Sequence, residues 1–123
     1  MKIFVLAPDS FKESMTAEQA CHAMQRGIEK AIPNATFIHV PMADGGEGTV
    51  DALVAARHGR KVKIEVSGPL IQHKVQTYFG LIENDQTAVI EMALANGIHL
   101  IEQSQRNPLL TSTLGTGEII KRS

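Results

Sequence analysis

Two successive strand–helix patterns fill the first half of the sequence and narrow the possible folds more than any other feature. Residues 3–7 form a continuous apolar run, typical of a parallel strand buried on both faces. Thr16 and Gln19 form a T-x-x-Q capping box, and apolar residues then recur at helical spacing. A second strand at 37–40 and a second helix at 47–58 follow. Because consecutive units of this kind connect by right-handed crossovers, they predict a parallel sheet.

The two predicted helices carry further expectations. Val50, Leu53 and Val54 are expected to face inward, and Gly59 to end the second helix. The apolar side of the first helix carries Cys21, the one cysteine of the chain. A lone cysteine on an apolar face predicts a buried, unreactive thiol rather than a nucleophile.

After Gly59 the hydrophobic pattern changes to a period of two. Apolar and polar residues alternate over 62–66 and 75–81, and a third strand is expected over 87–92. The turn residues between these strands indicate an antiparallel meander. We therefore expect an α/β chain in which Rossmann-like parallel β-α units over 1–67 are followed by an antiparallel strand meander that begins a second α/β domain over 68–123.

Composition excludes several classes of function. Twelve basic and thirteen acidic side chains give a net charge of −1, and one tyrosine and four phenylalanines offer few surfaces for stacking bases. Nucleic-acid binding is therefore not expected. No apolar run is long enough to span a membrane, and the first residues resemble a strand rather than a signal peptide. These features predict a cytoplasmic protein with no membrane partner.

A glycine-rich loop precedes the second predicted helix. Its residues are Asp44, Gly45, Gly46, Glu47, Gly48 and Thr49. Glycines permit close backbone approach, so amide N–H groups at a helix N-terminus can surround an anion such as phosphate. A plain tight turn is the alternative, but three glycines in four residues exceed what a turn needs. The glycine spacing matches neither a Walker A loop nor G-x-G-x-x-G.

A second polar loop follows the first strand. Asp9 can bind Mg²⁺ or accept a hydroxyl proton, Lys12 can neutralise a phosphate or carboxylate, and Ser10 lies between them. Taken alone, these residues also suit an ordinary turn. With Asp44 expected on a neighbouring strand, two carboxylates could meet over one cation.

Two later segments could also contribute to a site. Glu91 lies in an otherwise apolar strand end, so it either points out of the sheet or occupies a polar cleft. A hydroxyl- and glycine-rich segment precedes and opens a short predicted helix. It could bind a second anion through Thr111, Ser112, Thr113, Gly115, Thr116 and Gly117. Capping alone explains one or two of these residues.

Four motifs in register resemble the amino-terminal part of bacterial type I glycerate kinases. They are APDSFKES at 7–14, PMADGGEGT at 41–49, EMA at 91–93 and RNPLLTSTLGTGE at 106–118. The resemblance implies transfer of a phosphoryl group from ATP to D-glycerate with Mg²⁺, the motif positions lining a cleft between two domains. Asp9, Lys12 and Asp44 are the expected catalytic residues, and Asp9 and Asp44 the expected metal ligands. Members of that family are much longer, so the resemblance also implies that this chain is an amino-terminal portion.

Two other classes of function are alternatives to a kinase. A non-catalytic chain could bind a phosphorylated ligand or pair with a complementary chain or a second copy through an open sheet edge. A receiver-like domain with an aspartate at a strand end would not explain the glycine loop or the threonine-rich segment. The sequence leaves open which loop binds the nucleotide and which binds the acid.

Overall fold

The computed structural model describes all 123 residues, which divide into two compact units, 1–52 and 53–123. In chain order the elements are β1 (Ile3–Leu6), α1 (Ala17–Ala31), β2 (Thr36–His39), α2 (Thr49–Ala56), β3 (Arg60–Ser67), β4 (Lys74–Ile82), β5 (Thr87–Val89), α3 (Met92–Asn96) and α4 (Leu114–Arg122). Two short 3-10 turns, Ile98–Leu100 and Gln103–Gln105, connect α3 to α4. The domain boundary expected near Gly68 stays a prediction.

The first unit contains a parallel pair of strands. β1 and β2 run in register from Ile3 opposite Thr36 to Leu6 opposite His39. α1 packs on this sheet, and its Cys21 thiol contacts the Leu6 carbonyl oxygen at 3.4 Å. Cys21 is fully buried. The predicted strand–helix units, the parallel pairing and the buried thiol are therefore confirmed.

The predicted capping box fixes the start of α1. The Thr16 hydroxyl accepts the Gln19 backbone N–H at 3.2 Å, and the Gln19 side-chain oxygen accepts the Thr16 N–H at 2.9 Å. These reciprocal bonds satisfy two backbone donors that the first helical turn leaves without partners. The helix accordingly begins at Ala17, as the sequence indicates.

The prediction that residues 3–7 form a strand buried on both faces is wrong. Of the β1 residues only Leu6 is buried, whereas Ile3 is 57% and Val5 62% exposed. On β2, Ile38 is 47% exposed. Side chains alternate between the two faces of a strand, so α1 covers one face of this sheet and leaves the apolar side chains of the other face open.

α2 is shorter than the expected 47–58 because both of its ends are tight turns. Gly48 has φ +89°, which places it before the helix, and His58 has φ +51°, which places it after the end. The Gly59 N–H then bonds the Val54 oxygen at 2.8 Å and closes the last turn. Val50 and Val54 are buried as expected, but Leu53 is 40% exposed, so its inward placement is wrong.

The second unit is built on the predicted meander. β3 pairs antiparallel with β4, and β4 with β5. α3 packs against β4, and α4 packs against β3 and α3. The core that these elements share comprises Ile64, Val66, Phe79, Ala95 and Ile119. The α/β fold class, with parallel β-α units followed by an antiparallel meander, is confirmed.

Two details of this unit differ from or extend the expectations. β5 ends at Val89 rather than at residue 92, because Met92 already opens α3. The predicted short helix is present as α4, and Ile119 on it is fully buried. None of the helices combines the length and the apolar character that crossing a membrane requires.

Candidate functional site

The loops that follow β1 and β2 run side by side. The Val40 N–H bonds the Leu6 oxygen at 2.8 Å, and the Met42 N–H bonds the Pro8 oxygen at 3.0 Å. The parallel pairing therefore continues two steps beyond the strands. Asp9 follows Pro8 directly and Asp44 lies two residues after Met42, so the structure brings both loops to one edge of the sheet, where α/β folds commonly bind ligands.

The loop after β1 is a compact turn. The Asp9 carboxylate accepts the Ser10 N–H at 2.6 Å, and Phe11 and Met15 form a bridge through the Phe11 N–H and the Met15 oxygen at 2.9 Å. Asp9 and Lys12 are both exposed, and Ser10 is half-buried. Lys12 makes no ion pair, so its ammonium is available to a bound anion.

The glycine loop adopts the backbone that its sequence requires. Gly45 has φ +100° and Gly48 has φ +89°, a region that residues with a Cβ seldom enter. The Asp44 carboxylate accepts the Gly46 N–H at 2.9 Å, and the Thr49 hydroxyl donates to the Gly46 oxygen at 2.7 Å. Glu47, between these residues, is exposed. The Gly46 amide, one of those that the sequence predicts to be available to an anion, is therefore already bonded to Asp44.

The carboxylates of Asp9 and Asp44 are the oxygen donors at this edge that can be compared with those of a magnesium site. No group of three or more histidine, cysteine, aspartate or glutamate side chains is arranged to hold a metal. Mg²⁺, however, is commonly bound through one or two carboxylates together with phosphate oxygens and water. The contacts described above use one oxygen of each carboxylate. Two exposed carboxylates at one sheet edge match that donor set.

Glu91 is buried, with 5% of its surface exposed, directly before α3. Its side chain does not cap that helix. Its burial disfavours the alternative in which Glu91 points out of the sheet, and the alternative in which it occupies a polar cleft stays a prediction.

The hydroxyl-rich segment of the second unit is tied down by Asn96. The Asn96 side-chain oxygen accepts both the Thr116 N–H at 3.0 Å and the Thr116 hydroxyl at 2.6 Å, while its amide donates to the Ser112 oxygen at 3.0 Å. The Ser112 N–H in turn bonds the Pro69 oxygen at 2.9 Å. The Thr116 hydroxyl therefore holds the segment in place, and sequence patterns gave no signal for its partner Asn96.

An open groove of about 740 Å³ lies beside this segment. Its lining includes three of the predicted hydroxyl residues, Thr111, Ser112 and Thr113, and one cation to which the sequence assigned no role, Arg106. Its lining residues are Pro69, Asn96, Ile98, Ile101, Arg106, Asn107, Pro108, Thr111, Ser112 and Thr113. The predicted residues Gly115, Thr116 and Gly117 lie in the first turn of α4 and do not line it.

Glu118 is a third polar residue to which the sequence assigned no role. Its carboxylate accepts the Ser67 N–H at 2.6 Å and the Ser67 hydroxyl at 3.0 Å, and the Lys74 ammonium lies 3.7 Å away. The hydrogen bond from the Ser67 backbone is the largest cause that lowers the pKa of Glu118 below its ordinary value, and Lys74 adds to it. Glu118 is thus held as a carboxylate and fastens α4 to the end of β3.

Comparison with known proteins shows one consistent family. The model of the glycerate kinase family matches residues 4–123. The chain is 52% identical over 118 residues to a glycerate kinase of Haemophilus influenzae, covering 96% of this chain and 31% of that protein. It is 46% identical over 120 residues to glycerate 2-kinase of Escherichia coli, covering 98% of this chain and 31% of that protein.

A solved structure agrees with the sequence comparison. A crystal structure assigned as glycerate kinase 2 of Salmonella typhimurium LT2 superposes with a TM-score of 0.72 at 47% identity. The match covers 99% of this chain and 32% of that one. This chain therefore spans about a third of the length of the curated relatives it matches.

Proposed function

This chain belongs to the glycerate kinase family, and we propose that it supplies the amino-terminal part of an enzyme that transfers a phosphoryl group from ATP to D-glycerate. The relatives named glycerate kinase and glycerate 2-kinase support the reaction class. The observation that carries the proposal is the continued pairing of the β1 and β2 loops, which places Asp9 and Asp44 at one edge of the sheet.

The amino-terminal edge is proposed as the phosphate side of the reaction. Asp9 and Asp44 hold Mg²⁺ or position the substrate hydroxyl, and Lys12 balances the negative charge of the phosphates. Mg²⁺, when bound, neutralises charge that develops on the transferred phosphoryl group. The backbone of Gly45 to Thr49 approaches the phosphate oxygens, which the glycine conformations support. Catalysis then consists of positioning and electrostatic stabilisation.

The remaining predicted residues are proposed to act in substrate binding. Ser10 and Glu47 are the proposed additional ligand contacts of the first unit, and Glu91, Thr111 and Thr113 are the proposed substrate-binding residues of the second unit. Gly115, Thr116 and Gly117 shape the segment that carries those hydroxyls, a role that the bonds between Thr116 and Asn96 support. We propose a cytoplasmic enzyme, in keeping with a substrate that is a small organic acid.

A chimera tests the proposed reaction. Residues 1–123 replace the matching segment of the Haemophilus influenzae relative, and phosphoglycerate formation is measured with Mg²⁺, ATP and D-glycerate. Asp44→Asn keeps an acceptor for the Gly46 N–H but loses the charge, so kcat should fall by about 100-fold or more. Asp85→Asn, a matched change in an exposed turn, should stay within about twofold of the parent. Near-normal turnover by the Asp44→Asn chimera would overturn the assignment.

A second candidate function is non-catalytic pairing with another chain. β1 and β2 pair only with each other, so each strand keeps an open edge, and the apolar face formed by Ile3, Val5 and Ile38 is exposed. Such edges and faces favour association with a complementary chain or a second copy. Sedimentation of the isolated 123-residue chain tests this, because a monomer at all concentrations would contradict self-association.

A further inference from the structure

The groove of the second unit carries a positive charge without a partner. Arg106 lines it and makes no ion pair, unlike Arg57 and Arg60, which pair with Glu83 and Asp85 at 3.3 and 2.7 Å. Its Nε–H bonds the Ile101 oxygen at 3.3 Å. That bond fixes one side of the guanidinium. The two terminal NH₂ groups can then donate to a ligand, and their planar arrangement matches a carboxylate.

We infer that this groove binds the carboxylate end of glycerate, with Arg106 as the residue that receives the carboxylate. The inference rests on the proposed function and assigns the acid, rather than the nucleotide, to the segment that carries Thr111 and Thr113. Arg106 then contributes to substrate affinity and selects for a carboxylate, whereas Asp44 acts at the phosphate side.

The rest of the lining suits a small hydroxy acid. Thr111 and Thr113 can exchange hydrogen bonds with substrate hydroxyls, and Ile98 and Ile101 offer an apolar surface to the carbon skeleton of the acid. No aromatic side chain lines the groove, so it offers no stacking surface to an adenine base.

The groove is held in shape before any ligand arrives. Asn96 joins Thr116 to Ser112, and the Ser112 N–H bonds the Pro69 oxygen at 2.9 Å. The wall that carries the hydroxyls is therefore anchored both to α3 and to the turn after β3. Because this wall is already ordered, less free energy is lost in ordering the protein when a small ligand such as glycerate binds.

NMR titration of the ¹⁵N-labelled 123-residue chain tests the assignment. D-glycerate should shift the amides of residues 106–113 together with the Arg106 Nε–H signal. Arg106→Gln should raise the dissociation constant for D-glycerate by about 10- to 100-fold, the range expected for one charge-assisted contact. Arg106→Lys should recover part of the loss, since it keeps the charge but not the fork. Arg122→Gln, which removes the same charge from the end of α4, should leave the affinity unchanged.

Two other probes separate the ligand chemistries. Glycerol has the hydroxyls without the carboxylate, so it should cause no shifts at equal concentration. Inorganic phosphate should bind more weakly than glycerate, and stronger binding would overturn the assignment by making the groove a phosphate site. Glycerate shifts that fall outside residues 106–113, absent shifts, or equal affinities for the parent and Arg106→Gln would also overturn it.

The two proposals fail in different ways. If Asp44→Asn abolishes turnover of the chimera but Arg106→Gln leaves the KM for glycerate unchanged, the reaction stands and the groove assignment falls. If the groove binds glycerate through Arg106 while Asp44→Asn turns over normally, the groove stands and the proposed phosphate side falls.

Discussion

Glu118 accepts two hydrogen bonds from Ser67, one from the backbone N–H at 2.6 Å and one from the hydroxyl at 3.0 Å. The Lys74 ammonium donates to the same Ser67 hydroxyl at 2.9 Å. Ser67 is the last residue of β3 and is buried, while Glu118 lies in α4. The pair therefore fixes the helix that follows the hydroxyl-rich segment to the end of a core strand.

The first prediction concerns acid stability. The pKa of Glu118 in the folded chain lies below its ordinary value of about 4.5, chiefly because the Ser67 backbone N–H donates to the carboxylate. The folded state thus binds this proton less readily than the unfolded state, so the stabilisation is present above about pH 4.5 and is lost as the pH falls through the lower folded value. We therefore expect the free energy of unfolding, measured with urea between about pH 3 and 7, to fall less steeply with decreasing pH in Glu118→Gln than in the parent.

Asp85 provides the control for this measurement. Its pKa is also lowered, chiefly by the hydrogen bond from the Arg60 side chain, so its contribution to stability is likewise lost as the pH falls. Asp85→Asn should remove the contribution of Asp85 to the pH dependence of the free energy of unfolding and leave the contribution of Glu118 unchanged. An unchanged slope in Glu118→Gln would show that the bonds to Ser67 do not persist in solution.

The second prediction concerns the close contact of α4 with β3. A Cβ built on Gly115 would lie 1.9 Å from the Ser67 oxygen, so alanine there forces the helix away from the strand. We expect Gly115→Ala to lower the free energy of unfolding by about 3 kcal/mol, at the upper end for overpacking. Gly117→Ala meets nothing within 4 Å and should be neutral or stabilising by about 1 kcal/mol. Equal urea midpoints for the two variants would contradict the close contact.

Thr77 gives a third prediction, in the opposite direction. It is buried on β4, and its hydroxyl has no hydrogen-bond partner. A buried hydroxyl without a partner costs desolvation energy that valine, of nearly the same shape, avoids. Thr77→Val should raise the free energy of unfolding by about 1 kcal/mol, whereas Thr77→Ser, which keeps the hydroxyl and loses the methyl, should lower it by about 1 kcal/mol. A loss of stability in Thr77→Val would reveal a hydrogen bond in solution.

Local patterns in the sequence predicted most of the fold. The Thr16–Gln19 capping box lies within one helical turn, and the alternation in β3 and β4 is visible within each strand. Signals of this range depend on a few neighbouring residues, so they can be recognised without knowing which elements pack together. The exposure of Val5 and Leu53 was missed because covering a strand or helix face depends on elements far along the chain.

The polar contacts of the candidate site were harder to predict. Glu118 meets Ser67 across 51 residues, and Asn96 meets Thr116 across 20. No periodicity connects such positions. In the glycine loop, by contrast, a contact within the loop was missed. The sequence predicted backbone amides available to an anion, but Asp44 accepts the Gly46 N–H of its own loop. Short polar side chains commonly bond the backbone two residues on, so this competition is inherent in an Asp-Gly-Gly sequence.

The last prediction concerns that glycine loop. Gly48 has φ +89° immediately before α2, and a side chain there is strained although nothing lies within 4 Å of its Cβ position. Gly48→Ala should therefore cost about 1–3 kcal/mol through the backbone alone. If the loop also contacts phosphate, the variant should weaken inorganic phosphate binding in an NMR titration of residues 44–49. Gly27→Ala, within α1 and also with nothing within 4 Å of its Cβ position, should stabilise by about 1 kcal/mol and leave phosphate binding unchanged. Parent-like stability and phosphate affinity in Gly48→Ala would show that the loop does not depend on its left-handed glycine.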